Sequence, residues 1–86
     1  MKREEIIEKV NAILADQLIG VDADGVKPDA SLATDLGADS IDAVDLCMAI
    51  ERAFRISLPD SVWDDLKDCQ VSEIYDLVGE LIDKQL

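Results

Sequence analysis

Three stretches of this chain return to an aliphatic residue every three or four positions, and that period dictates helices before any other feature is weighed. Residues 3 to 18 carry Ile6, Ile7, Val10, Ile13, Leu14 and Leu18, which fall within about 140° when wound at 3.6 residues per turn. Glu5, Glu8, Lys9, Ala12 and Asp16 take the opposite face. Residues 71 to 84 repeat the pattern with Val71, Ile74, Leu77, Val78, Leu81 and Ile82, and Tyr75 sits at the edge of that stripe. The third segment, residues 40 to 54, has two stripes. With Ile41 at 0°, Ala43, Leu46, Ile50, Ala53 and Phe54 lie between about 120° and 220°, an arc that should face a core. Ile41, Val44 and Met48 lie between about 300° and 360°, on the other side, among Asp45, Glu51, Arg52 and Arg55.

The connections follow from glycine and proline. Gly20 ends the first pattern, and residues 19 to 38 hold Gly25, Pro28, Gly37 and many small or acidic residues. A loop of this length needs pins, for which Val21, Val26, Leu32 and Leu36 are the candidates. Asp22, Asp24 and Gly25 faintly resemble the start of a calcium loop, but Ala33 stands where the closing Glu would be needed, so no calcium site is expected. Leu58-Pro59-Asp60 stops the middle helix and caps a short one, about 60 to 66, with Trp63 as its half-buried anchor. The predicted fold is therefore all-α, a four-helix bundle in one domain spanning 1–86. It has three longer helices, one short helix and a long loop between the first and second. Composition agrees: hydrophobic residues make up 49% of the chain but aromatics only 3%, so packing falls to Leu, Ile, Val and Ala. That suits small helices better than a sheet.

Charge narrows the function. Twenty acidic residues against 8 basic ones leave a net charge of −12. Nucleic acids and anionic membranes are disfavoured as partners, because binding them requires Lys and Arg to neutralise phosphates. Proteins with basic patches are favoured, since complementary fields speed encounter. There is no apolar run long enough to cross a bilayer and no signal-peptide pattern, so a cytoplasmic monomer is expected. Cys47 and Cys69 have no ligand spacing and there is no histidine, which predicts reduced structural thiols and no metal site. Without histidine, a nucleophile elbow or a phosphate-binding loop followed by Lys, no catalytic residue can be named and an enzyme is not expected.

One stretch still calls for a chemical reading. In Asp35-Leu36-Gly37-Ala38-Asp39-Ser40-Ile41-Asp42, Gly37 permits a tight turn, Asp39 and Ser40 are both good N-cap residues, and the apolar period begins at Ile41. Ser40 is thereby expected at or just inside a helix N-terminus. Unpaired N–H groups and the positive end of the helix dipole gather there, so a phosphate esterified to that hydroxyl would be favoured. The exposed stripe of Ile41, Val44 and Met48 is a candidate docking surface, with cover by the long loop as the alternative.

These residues, from Asp35 through Leu46, resemble the signature of the acyl carrier protein family, and Met48-Ala49-Ile50-Glu51 through Asp60 continue the resemblance in register. It implies a non-catalytic phosphoprotein whose serine, here Ser40, bears 4'-phosphopantetheine. A phosphopantetheinyl transferase would attach the arm from coenzyme A with magnesium, which Asp39 would approach. Asp42 also matches a position near that chemistry. The resemblance assigns partner docking to Ile41, Val44, Asp45, Met48 and Glu51, and cargo to fatty-acid or related acyl metabolism. Leu46, Ile50, Leu58, Val71 and Ile74 are candidates to shelter an acyl chain. Ile41 in place of Leu after the serine, Arg52 and Arg55 on an acidic helix, and a longer segment around Trp63 depart from the family pattern. They suggest a specialised acyl or polyketide-like pathway in which Arg52 takes part in recognition. A peptidyl or aryl carrier, or an unmodified acidic interaction protein, are the alternatives.

Overall fold

The computed structural model describes residues 2–18, 20–59, 62 and 69–85. Three helices of 15 residues each, α1 (Arg3–Gln17), α2 (Ser40–Phe54) and α3 (Val71–Gln85), succeed one another, with a 3-10 turn at Ala23–Gly25 in the first connection. No strand forms among the described residues; one antiparallel bridge pairs Ser31 with Gln70. The three longer helices expected from the apolar period are all present. The short helix expected at 60 to 66, and Trp63 with it, lies outside the described residues. Val62 within that span is buried and donates its N–H to the Pro59 carbonyl at 3.0 Å.

α1 packs against both α2 and α3, whereas α2 and α3 touch each other little. The core is built where the stripes meet: Ile6, Val10, Leu14 and Leu18 against Leu46, Ile50 and Phe54 on one side and Val71, Ile74, Val78 and Ile82 on the other. Ile7, Ile13, Leu77 and Leu81 are half-buried at its margin. Two placements differ from the helical wheel. Ala53 is exposed and Cys47 is buried, so the inward arc of α2 is turned by about 20° toward Cys47. A wheel orders residues around an axis but says nothing of where the neighbouring helices stand. Tyr75, expected at the edge of its stripe, is only 1% exposed. Its ring is covered because the phenolic hydroxyl donates to Asn11 Oδ1 on α1, and Arg3, ion-paired to Asp76 at 2.8 Å, lies over the ring. A buried Tyr needs such a partner for its polar end.

The long loop is pinned by Leu32, which is fully buried, with Val21, Val26 and Leu36 half-buried against the core. Ala38, not foreseen as a pin, is also buried. Asp22 caps the 3-10 turn that Gly25 ends, and the Gly25 N–H donates to the Asp22 carbonyl at 2.9 Å. No cluster of carboxylates, cysteines or histidines among the described residues is arranged to hold a metal ion. Cys47 and Cys69 are both buried. Burial pushes the Cys47 thiol up to about 11, with the Glu51 carboxylate adding to the effect.

Candidate functional site

The segment leading into α2 is held by its own hydrogen bonds. Ser31 N–H donates to Asp35 Oδ2 at 2.7 Å, Thr34 N–H to Ser31 Oγ at 3.3 Å, and the amides of Asp35 and Leu36 both turn back to the Ser31 carbonyl. Gly37 then adopts φ 71°, a left-handed conformation that most side chains avoid. Ala38 N–H returns to the Leu32 carbonyl at 2.9 Å. Asp39 follows as the N-cap, and Ser40 is the first helical residue, as the sequence reading placed it.

A reciprocal capping box closes the start of α2. Asp39 Oδ1 accepts from the Asp42 N–H at 2.9 Å, and Asp42 Oδ2 accepts from the Asp39 N–H at 3.2 Å. The spacing of the two aspartates carried this signal, since an N-cap residue followed three positions later by an acceptor is the capping-box pattern, here with Asp in the place usually held by Glu or Gln. The Ile41 N–H makes no hydrogen bond among the described residues. One first-turn donor therefore remains open beside Ser40, at the positive end of the dipole. That chemistry fits an ester-linked phosphate on Ser40, with the carboxylates of Asp39 and Asp42 each turned to a backbone amide.

Further along α2 the second stripe is exposed: Ile41 at 71%, Met48 at 55% and Val44 at 38%. The alternative that the long loop covers it is therefore set aside. Beside the stripe, Gln17, Asp45, Met48, Ala49 and Arg52 line a shallow groove of about 170 Å³. Asp45 and Arg52 are exposed, and neither Arg52 nor Arg55 forms an ion pair with a described residue. The structure thus brings Ile41, Val44, Asp45, Met48 and Arg52 onto one accessible face, with Asp39 and Asp42 at its N-terminal end.

Glu51 and Arg55 stand apart from that face. Glu51 Oε2 accepts the Leu58 N–H at 3.1 Å and so pins the chain after α2. Arg55 leaves the helix as its C-cap at φ 57°, and its N–H donates to the Glu51 carbonyl, so its wheel position does not hold. Of the candidate acyl-sheltering residues, Leu46, Ile50, Val71 and Ile74 are fully packed in the core, and Leu58 is half-buried against it. The sequence reading found Leu32 as a loop pin but not its backbone bonds to Cys69 and Ala38, which leave no trace in residue type.

The chain matches the phosphopantetheine attachment site family over residues 8–68, a span that contains the Ser40 turn and all of α2. It is 45% identical over 82 residues to an acyl carrier protein of Thermosynechococcus vestitus, covering 95% of this chain and 98% of that protein. It is 50% identical over 70 residues to an acyl carrier protein of Guillardia theta, covering 81% of this chain and 85% of that one. Carriers of this family are not catalysts, and their attachment domain bears 4'-phosphopantetheine. With the three long helices of its described residues, its capped serine turn and these likenesses over most of its length, the chain belongs to the acyl carrier protein family.

Proposed function

We propose that Ser40 is the residue that carries the 4'-phosphopantetheine arm, and that the chain delivers acyl groups to enzymes of fatty-acid synthesis or of a specialised acyl or polyketide-like pathway. The observation that carries this reading is the position of Ser40 as the first residue of α2, directly after the Asp39 cap and beside the open Ile41 N–H. Ser40 Oγ attacks a phosphorus of the coenzyme A pyrophosphate in a separate transferase. One P–O bond forms, the pyrophosphate P–O bond breaks, adenosine 3',5'-bisphosphate leaves, and the hydroxyl proton passes to the transferase. Asp39 uses Oδ1 for the cap, and its second oxygen accepts no hydrogen bond from the described residues. In this reading that oxygen is the one that would meet the transferase's magnesium. The arm, when bound, supplies a terminal thiol on which acyl groups ride as thioesters.

The chain acts as one domain over residues 1–86 and as a cytoplasmic monomer. No helix among the described residues is long and apolar enough to cross a membrane. Partner enzymes approach the face of Ile41, Val44 and Met48 through basic patches that meet Asp42 and Asp45, while Arg52 discriminates among them. Weak docking with fast encounter suits a carrier that visits several enzymes in turn.

The test is intact-mass measurement after incubation with coenzyme A, magnesium and a broad-specificity transferase. Wild-type chain gains the mass of one arm and Ser40→Ala gains none. An arm on Ser40→Ala overturns the assignment. The thioester isolated with the carrier from its source identifies the cargo and separates acyl from aminoacyl loading.

A further inference from the structure

α2 and α3 make little direct contact, yet their starts are tied together through backbone atoms of the long loop. The Leu32 carbonyl accepts the Ala38 N–H at 2.9 Å, two residues before Ser40. The Leu32 N–H donates to the Cys69 carbonyl at 3.2 Å, two residues before α3 begins. On either side, Val71 N–H donates to the Ala30 carbonyl at 2.9 Å and Ser72 N–H to the Pro28 carbonyl at 2.8 Å. The first amides of α3 are thus capped by the loop rather than by a side chain, and Gln70, bridged to Ser31, has its N–H held by Glu73 Oε2 at 2.7 Å.

We propose that Leu32 is a positioning residue for Ser40: it locks the Ala38–Asp39 turn to the start of α3, so that the state of the Cys69–Val71 junction sets how Ser40 is presented to the enzyme that modifies it. The Leu32 side chain is fully buried, so both of its backbone bonds are anchored to the core. Buried backbone groups have no water to turn to when such a bond is lost, which makes the two junctions move together. Only Asp39 separates Ala38 from Ser40, and Asp39 is itself fixed in the capping box. A displacement at Leu32 therefore has no slack in which to dissipate before it reaches the serine. The presentation part of this inference rests on Ser40 being the modified residue; the coupling part does not.

The test uses the full chain with Val71→Pro. Proline suits the first helical position, but it lacks the N–H that binds Ala30. Amide hydrogen exchange should quicken at Leu32 and Ala38 by about fivefold, the value of one net hydrogen bond, while Val10 and Leu14 in α1 keep their wild-type rates. In phosphopantetheine transfer from coenzyme A, KM for the carrier should rise by a similar factor with kcat unchanged, as expected when the competent turn is populated only part of the time. Glu73→Ala, which frees the Gln70 N–H from an exposed site, should act in the same direction, and Glu73→Gln, which keeps an acceptor oxygen, should restore wild-type values. The Glu73 pair decides the matter if Val71→Pro loses its helical circular dichroism. Unchanged exchange at Ala38 overturns the coupling, and quickened exchange with unchanged KM overturns the effect on presentation. Ser40→Ala run alongside shows separately whether the serine assignment holds, since the exchange measurement does not depend on it.

Discussion

The capping box at the start of α2 offers the sharpest test of how the serine turn is held. In Asp39→Ala the Asp42 N–H loses its acceptor at 2.9 Å, and Asp42 Oδ2 keeps only the Asp39 amide. Losing an N-cap side chain costs about 1 kcal/mol, and losing a negative charge at a helix N-terminus costs a further 0.3 to 1, roughly. Opposing this, the substitution removes one charge from a chain of net −12, a relief worth at most about 0.5 kcal/mol between exposed groups. The net loss is about 1 to 1.5 kcal/mol, and for a domain of this size that lowers the melting temperature by roughly 5 to 10 °C. Asp39→Asn keeps an acceptor oxygen and gives up only the charge, so it should fall by about half as much or less. Urea unfolding followed by far-ultraviolet circular dichroism, with the same slope for every variant, measures the differences. Because the box is reciprocal, Asp42→Ala should cost less in an Asp39→Ala background than in wild type. Equal stabilities for the Ala and Asn variants, or an Ala variant more stable than wild type, would show that charge relief governs this turn and the hydrogen bonds do not.

Four other outcomes follow from the sequence and structure of the chain. Arg55→Gly should stabilise the chain by about 0.5 to 1 kcal/mol in urea, because relief of a left-handed non-glycine residue exceeds the entropy glycine adds to the unfolded chain; a loss of stability would mean the Arg55 side chain contributes contacts of its own. The Cys47 thiol is raised in the folded chain from 9.0 to about 11, so its stabilising effect is complete below pH 9 and disappears as pH climbs toward 11. Melting temperatures across that window should fall more steeply for wild type than for Cys47→Ala, and parallel curves would refute the assignment. Added salt or magnesium should raise the melting temperature by screening self-repulsion, with most of the gain reached near physiological ionic strength, where the Debye length is about 8 Å; a flat or falling curve counts against it. Arg52→Glu in the holo carrier should shift relative rates toward enzymes with basic docking patches and away from acidic ones, and unchanged ratios would make Arg52 a solvated helix charge.

Much of this architecture is legible in residue order alone, for a physical reason. A repeat at three and four positions can bury its apolar side only as a helix, so the segments read at 3 to 18, 40 to 54 and 71 to 84 become Arg3–Gln17, Ser40–Phe54 and Val71–Gln85 with end shifts of one residue at most. The place of Ser40 at the head of α2 was equally local, since Gly37, Asp39 and the apolar onset at Ile41 act within a few residues of one another. The exposed stripe of Ile41, Val44 and Met48 was legible as a second apolar arc, although its accessibility depended on the loop lying elsewhere. Tertiary structure decided what depends on neighbours remote in the chain. It turned α2 so that Cys47 is buried in preference to Ala53, and it covered Tyr75 through Asn11 and Arg3. It committed Glu51 to the Leu58 amide and clasped Ser57 to Gln85 by two hydrogen bonds of 2.8 and 2.9 Å. Above all it set Leu32 between the starts of α2 and α3, because every residue but proline carries the same backbone donor and acceptor, and only the folded path of the chain determines where they point.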